Sequence, residues 1–281
     1  MISRRVFCRL TVTTALFAGI ACISTFADAA PSGAPPVETA RPTLYLIGDS
    51  TVKNGTKGLQ GWGTPIAGMF DPAKINVVNR ALGGRSSRTF LTEGLWDKVR
   101  DTLKPGDFVL MQFGHNDGGS IHTSTRASLK GGGPETQDWL NPKTGKTETV
   151  QSYGWYLRKY IADAKAKGAN PIVLSPVPRN IWKDGKVGRA ANDYGKWAKE
   201  AAGAEHVPFV NLNEIIAAKY ETLGETEVKK LFPIDHTHTS PEGALLNAAS
   251  VVQGVRGLQD CPLGSYALPM PPALVALPTV R

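Results

Sequence analysis

Leu44-Tyr45-Leu46-Ile47-Gly48-Asp49-Ser50-Thr51 decides the fold. Four consecutive apolar side chains followed by Gly-Asp-Ser describe a short strand, buried on both faces, that stops at a hydroxyl. Ligands of open parallel sheets sit beyond the carboxyl ends of the strands, which puts Ser50 where chemistry takes place. Alone, the tripeptide reads equally well as a turn or a helix cap. Its meaning depends on what the chain does next.

Downstream, strand and helix patterns alternate. Further strands are expected at 75–79, 107–113, 171–175 and 208–212, and helices at 66–70, 95–103, 153–167, 190–202, 214–220 and 241–253. Leu95, Val99 and Leu103 recur every four residues on one helical face, and Lys104-Pro105-Gly106 stops that helix. Pro176 closes the fourth strand because proline has no N–H for the ladder. Asn213 reads as the cap of the helix behind it, and Ser240-Pro241 as the opening of the last one. Five strands joined by helical crossovers predict one α/β domain over residues 43–260. Its expected architecture is a three-layer α/β/α sandwich around a five-stranded parallel sheet. Residues 118–150 are rich in glycine, serine, threonine and lysine and read as a long insertion walling one side of a cleft. Within it, Lys143-Thr144-Gly145-Lys146-Thr147 fails as a phosphate loop, since Leu140 stands where the first glycine belongs. Residues 261–281 read as a poorly ordered tail.

The start of the chain has a different character. Arg4 and Arg5, an uncharged stretch over 11–26 and Ala27-Asp28-Ala29-Ala30 make residues 1–30 an export signal. Ser3-Arg4-Arg5-Val6-Phe7 fits the twin-arginine type, with an ordinary secretory signal as the alternative. A proline- and alanine-rich lead-in follows over 31–42. The expected location is the periplasm or the medium, without stable membrane insertion once the signal is cut, because no later apolar run is long enough to span a bilayer. Cys8 and Cys22 leave with the signal, so Cys261 remains alone and an internal disulfide is excluded. Of the net charge of +8, Arg4, Arg5 and Arg9 against Asp28 account for +2, which leaves +6 for the remainder. In an exported protein that excess points away from nucleic acid and toward an acidic polysaccharide, with a plainly basic surface as the alternative.

Three expected strand ends carry polar or glycine-rich turns: Ser50, Gly84 and Asn116. A fourth cluster, Asp235-His236-Thr237-His238, precedes the last helix. Acyl transfer through serine needs a nucleophile, a base, a group that orients the base and donors for the oxyanion. His238 can take the proton of Ser50, and Asp235 can hold the other ring nitrogen. The N–H groups of Ser50 and Gly84 and the amide of Asn116 can face the oxyanion. Asp235, His236 and His238 also raise the question of a metal, but no HExxH pattern accompanies them, and the role of His236 stays open. The G-x-S-x-G elbow of the α/β-hydrolases is absent.

Gly48-Asp49-Ser50, Gly84, Gly114-His115-Asn116-Asp117 and Asp235-x-x-His238 resemble the four blocks of the SGNH hydrolases, also called the GDSL family, in order and spacing. Gln60-Gly61-Trp62-Gly63, Ala81-Leu82-Gly83-Gly84-Arg85-Ser86 and Asp235-His236-Thr237-His238-Thr239 are similar to its rhamnogalacturonan acetylesterase branch. The resemblance implies a flavodoxin-like sheet, a Ser50–His238–Asp235 triad and an oxyanion hole of Ser50, Gly84 and Asn116. It implies no cofactor and no metal, and an acetylated acidic pectic polysaccharide as substrate. Two other readings are carried forward: a related esterase or lipase acting on xylan, lipid or small acyl esters, and a polysaccharide-binding protein without turnover. His115 and Asp117 are expected to brace the loop around Asn116. Arg85 and Arg88 are candidates to pair with a uronate, or else form a solvated surface pair. Trp62 and Trp139 are candidates to stack on sugar rings, with the core as the alternative for Trp62.

Overall fold

The computed structural model describes residues 41–142 and 144–270. The expected export signal, nearly all of the lead-in and residues 271–281 lie outside the described residues. The strands are β1 (Thr43–Gly48), β2 (Asn76–Asn79), β3 (Phe108–Gln112), β4 (Thr136–Leu140), β5 (Thr147–Gln151), β6 (Asn170–Leu174), β7 (Trp182–Lys183), β8 (Lys186–Val187) and β9 (Phe209–Val210). The helices are α1 (Ser87–Thr92), α2 (Leu95–Arg100), α3 (Tyr153–Ala166), α4 (Tyr194–Ala204), α5 (Leu212–Leu223), α6 (Glu225–Lys230) and α7 (Pro241–Arg256).

Five strands form one parallel sheet in the order β2-β1-β3-β6-β9. Alternate side chains of the central strands enter two separate cores, because successive Cβ atoms of a strand point to opposite faces. Leu44, Leu46, Phe108, Leu110, Ile172 and Leu174 pack on one face against α5, α7 and the 3-10 turn Pro65–Met69. Tyr45, Ile47, Val109, Met111 and Val173 pack on the other against α1 to α4. The run of apolar residues that opened the sequence reading is continuous because both of its faces are covered. The chain order reverses between β1 and β3, and that is where ligands of such sheets bind.

The structure corrects the expected boundaries in three places. Residues 118–150 are not a structureless loop. They hold the antiparallel hairpin β4–β5 and a small core of Ile121, Ala127, Trp139 and Val150. The domain also continues past residue 260. Pro262–Tyr266 forms a 3-10 turn with Leu263 buried, Ala267 bridges Phe70, and the Leu268 N–H donates to Met69 O at 2.9 Å. Closely spaced prolines hid these apolar contacts. Finally, Asn213 does not cap a helix. Helix α5 begins before it, and its amide instead joins Ala190 N–H (3.0 Å) to Pro176 O (2.9 Å). Ser240 does cap α7, accepting the Gly243 N–H.

Candidate active site

Ser50 stands on the turn that follows β1. The turn is tight because Gly48 permits it: a Cβ there would lie 2.5 Å from Gln112 O and from Val52 Cγ2. Beneath it runs a buried chain of hydrogen bonds. Trp62 Nε1–H donates to Gln112 Oε1 (2.8 Å), Gln112 Nε2–H to Thr51 Oγ1 (2.6 Å), and Thr51 Oγ1–H to Asp49 Oδ1 (2.7 Å). Asp49 Oδ1 also accepts the Thr51 N–H at 2.8 Å. Linked buried hydrogen bonds favour a single geometry, and here they hold the residues on either side of Ser50, with Asp49 Oδ2 left without a partner among the described residues.

The base arrives from the segment before α7. His238 Nε2 lies 2.8 Å from Ser50 Oγ, and His238 Nδ1 lies 2.7 Å from Asp235 Oδ2. Asp235 Oδ1 accepts the N–H groups of Thr237 (2.7 Å) and His238 (2.8 Å). Partial burial pushes the Asp235 carboxyl up, but the hydrogen bonds from the His238 ring and from these two N–H groups outweigh it and bring it down to about 2. Asp235 is therefore a carboxylate at neutral pH and only accepts. Nδ1 of His238 must carry a proton, and in the neutral ring Nε2 is left with a lone pair for the Ser50 Oγ–H. The segment is pinned to the Trp62 loop by Gln60 N–H to Thr239 O (2.8 Å) and Thr239 Oγ1–H to Gln60 O (2.9 Å).

Three candidate oxyanion donors lie on neighbouring turns. Beyond β2 the chain stays beside β1, with Arg80 N–H on Leu46 O (2.9 Å) and Leu82 N–H on Gly48 O (3.1 Å). That path brings Gly83 within 3.6 Å of Ser50 Cβ, measured from where a glycine Cβ would stand, and Gly84 turns there with φ +77°. The N–H groups of Ser50 and Gly84 donate to no acceptor among the described residues. Asn116 uses one Nδ2–H on Arg85 O (3.0 Å), which leaves the second free. Unspent donors fixed beside a nucleophile stabilise an oxyanion without reorganising.

The Asn116 turn is braced as expected by Asp117, whose buried carboxylate accepts the Ser87 N–H (3.1 Å) and the Ser87 hydroxyl. Burial pushes Asp117 up to about 7 against those hydrogen bonds. Around His115, the Arg179 guanidinium donates to its backbone oxygen at 3.2 Å. Burial lowers the His115 ring below its ordinary value, and its Nε2 has no hydrogen-bond partner among the described residues. The His236 side chain is exposed, and its backbone oxygen accepts the Asn180 N–H at 2.7 Å. Among the described residues, no three His, Cys, Asp or Glu side chains gather where they could hold a metal ion.

Of the four candidate substrate contacts, Trp62 and Arg85 take their alternative readings, core and surface pair, while Arg88 and Trp139 are corrected. Trp62 is fully buried and spends its N–H on Gln112, so it offers sugar no face. Arg88 is buried, forms a two-pronged ion pair with Glu148 (2.7 Å each), donates to Ala127 O at 2.8 Å and lies 4.9 Å over the Trp139 ring. It anchors the insertion, and Trp139 with it is core. Arg85 is half-exposed but already paired with Glu93 at 2.8 Å. The sequence reading missed Gln112, whose signal was a lone polar residue inside an apolar strand. It also missed Arg126, a loop residue with no pattern around it, whose Nη1 donates to Asn116 Oδ1 at 2.9 Å.

Residues 46–246 match the GDSL-like lipase/acylhydrolase family. A rhamnogalacturonan acetylesterase of Emericella nidulans is 36% identical over 76% of this chain and 84% of its own. A probable rhamnogalacturonan acetylesterase of Bacillus subtilis, YesY, is 34% identical over 76% of this chain and 93% of its own. Among solved structures, protein YxiM of Bacillus subtilis superposes with a TM-score of 0.62 at 24% identity. That likeness covers 77% of this chain and 56% of the other, and it bears on the fold alone.

Proposed function

The chain belongs to the GDSL-like lipase/acylhydrolase family and is a carboxylic ester hydrolase, and from that premise we propose that it is an exported acetylesterase of acetylated rhamnogalacturonan. The observation that carries the chemistry is the Ser50–His238–Asp235 relay, at 2.8 and 2.7 Å, beside three unspent donors. Ser50 Oγ attacks the acetyl carbonyl carbon as His238 Nε2 takes its proton. The N–H groups of Ser50 and Gly84 and the free Nδ2–H of Asn116 receive the oxyanion. The tetrahedral intermediate collapses to acetyl-Ser50, and His238 returns the proton to the departing sugar oxygen. Water, deprotonated by His238, then attacks the acetyl-enzyme. Acetate leaves and Ser50 recovers its proton.

Similarity to two relatives named for rhamnogalacturonan supports the substrate, and so does the openness of the relay. Ser50 and His238 are each only partly buried and Asp235 is exposed, which suits a polymer passing over the surface better than an acyl chain needing a tunnel. The polar insertion beside Asn116 favours sugar over lipid for the same reason.

Acetate release from acetylated rhamnogalacturonan, acetylated xylan and nitrophenyl acetate by the protein lacking residues 1–30 tests the reading. Preference for the pectic polymer is the expected result; turnover of the nitrophenyl ester alone would overturn the substrate and leave the relay standing. Export is tested by fractionating cells that express the full chain and its R4K/R5K variant. Retention of the variant inside the cell supports the twin-arginine route.

A further inference from the structure

Arg126 sits on the insertion, on a backbone held from two sides. The next residue, Ala127, is buried, and its carbonyl accepts from the buried Arg88; the Ser128 N–H beyond it donates to Asp117 O at 3.0 Å. The side chain of Arg126 is exposed yet ordered against the oxyanion turn. Its Nη1 donates to Asn116 Oδ1 at 2.9 Å and makes a longer contact, 3.5 Å, with Gly84 O. Both acceptors are neutral. Arg85 and Arg88 have their charge matched by Glu93 and Glu148, whereas Arg126 forms no ion pair among the described residues, and its Nε and Nη2 donate to nothing there. A guanidinium carries five N–H donors in a fixed fork that fits a carboxylate at two points.

We propose that Arg126 is the residue that reads a carboxylate of the substrate, docking a uronate beside the acetyl group while the same guanidinium holds the oxyanion-hole amide of Asn116. It rests on the acidic-polysaccharide reading given above for its natural ligand. Through Nη1 the guanidinium is bonded directly to the amide whose Nδ2 is the oxyanion donor, so charge recognition and oxyanion binding fall within the span of one substrate segment. A cation on Asn116 Oδ1 also polarises that amide and makes its N–H a better donor, as linked hydrogen bonds do. Binding of the acidic segment thereby steadies the group that the reaction needs.

The test uses hydrolysis of nitrophenyl acetate, a neutral ester, with oligogalacturonate as the competing probe and a xylo-oligosaccharide of equal length as its uncharged control. The wild-type protein is expected to be inhibited competitively by oligogalacturonate, less so as salt is raised, and not by the neutral sugar. In Arg126→Gln the inhibition constant rises about tenfold, and Arg126→Lys recovers part of it because the charge remains without the fork. Thermal melting of both variants, on an exposed residue, confirms that they are folded. Equal inhibition of wild type and Arg126→Gln, or no inhibition of the wild type, would overturn the proposal. The two readings fail separately. If inhibition depends on Arg126 but acetylated rhamnogalacturonan releases no acetate, the substrate falls and the carboxylate site stands; if acetate is released and inhibition ignores Arg126, the reverse holds.

Discussion

The two walls of the site are held in place by different physics. The turns that carry Ser50 and Asn116 continue parallel strands buried on both faces, the Gly84 turn follows the half-buried edge strand β2, and the nucleophile turn rests on the hydrogen-bonded chain from Trp62 through Gln112 and Thr51 to Asp49. The insertion, by contrast, has a core of four buried apolar side chains and is tied to the domain by scattered contacts: the buried Arg88 clamped to Glu148, Ala127 O and the Trp139 ring, the Ser128 N–H on Asp117 O, and Arg158 on Gly132 O and Gly133 O. Geometry fixed by a sheet rests on many ladder hydrogen bonds, whereas that of the insertion rests on a few loop contacts, among which the Arg88–Glu148 ion pair is the buried charged one. The proposed chemistry lies on the first wall, and the proposed carboxylate contact on the second.

The sharpest way to break that division is at the nucleophile. Ser50→Ala is expected to lower kcat by up to about six orders of magnitude on every ester, polymer or small, because the relay acts as a unit. Equal residual turnover on nitrophenyl acetate and polymer would uphold the assignment, whereas turnover near wild-type rate would remove Ser50 from the chemistry. Asn116→Ala comes next. Losing one oxyanion donor costs about 10² to 10³ in kcat, and since the amide also links to Arg126, the loss should be larger on the acidic polymer than on the small ester. A KM effect without a kcat effect would assign Asn116 to the substrate-binding wall instead.

The first wall could be read in the sequence and the second could not, for a reason visible in particular residues. Ser50, Gly84, Asn116 and the Asp235–His238 pair are announced by local patterns: a strand followed by a turn, glycines where the backbone crowds, a fixed spacing before a capped helix. The two-sided core follows from the uninterrupted apolar runs at 44–47 and 108–111. Arg88 looked like a surface arginine because its partners lie 39 and 60 residues away in the chain. Trp139 looked like a sugar platform because Thr136–Leu140 has only the weak alternation of an exposed hairpin, four of its five residues being exposed. Burial created by long-range contacts leaves no short-range signal.

The ion pair itself offers the third prediction. Glu148→Gln leaves the Arg88 guanidinium, with only 1% of its side chain exposed, without a countercharge and should destabilise the domain by about 3 kcal/mol in a denaturant titration. The loosened insertion should raise KM for polymer more than for nitrophenyl acetate. An equal rise on both substrates would mean that the insertion supports the chemistry as much as the binding.

The smallest expected effect lies where the walls meet. Asp117 belongs to the Asn116 turn, yet its carboxylate is spent on Ser87 and its carbonyl accepts the Ser128 N–H of the insertion. Burial raises its carboxyl from 3.8 to about 7, so between those values the folded protein holds a proton that the unfolded chain has lost. Stability must then fall as pH rises through that window, the opposite sense to a hydrogen-bonded carboxylate such as Asp235, whose contribution is lost as pH falls. From pH 5 to 7 the loss attributable to Asp117 is about 2 kcal/mol. Asp117→Asn keeps an acceptor for the Ser87 N–H and removes the titration, so it should flatten the decline of unfolding free energy over that range and be most beneficial at the alkaline end. If the variant declines as steeply as the wild type, the pH sensitivity resides elsewhere. If it flattens, the buried Asp117 carboxyl, keeping its proton on the acid side of neutrality beside Ser87, is the source of the decline.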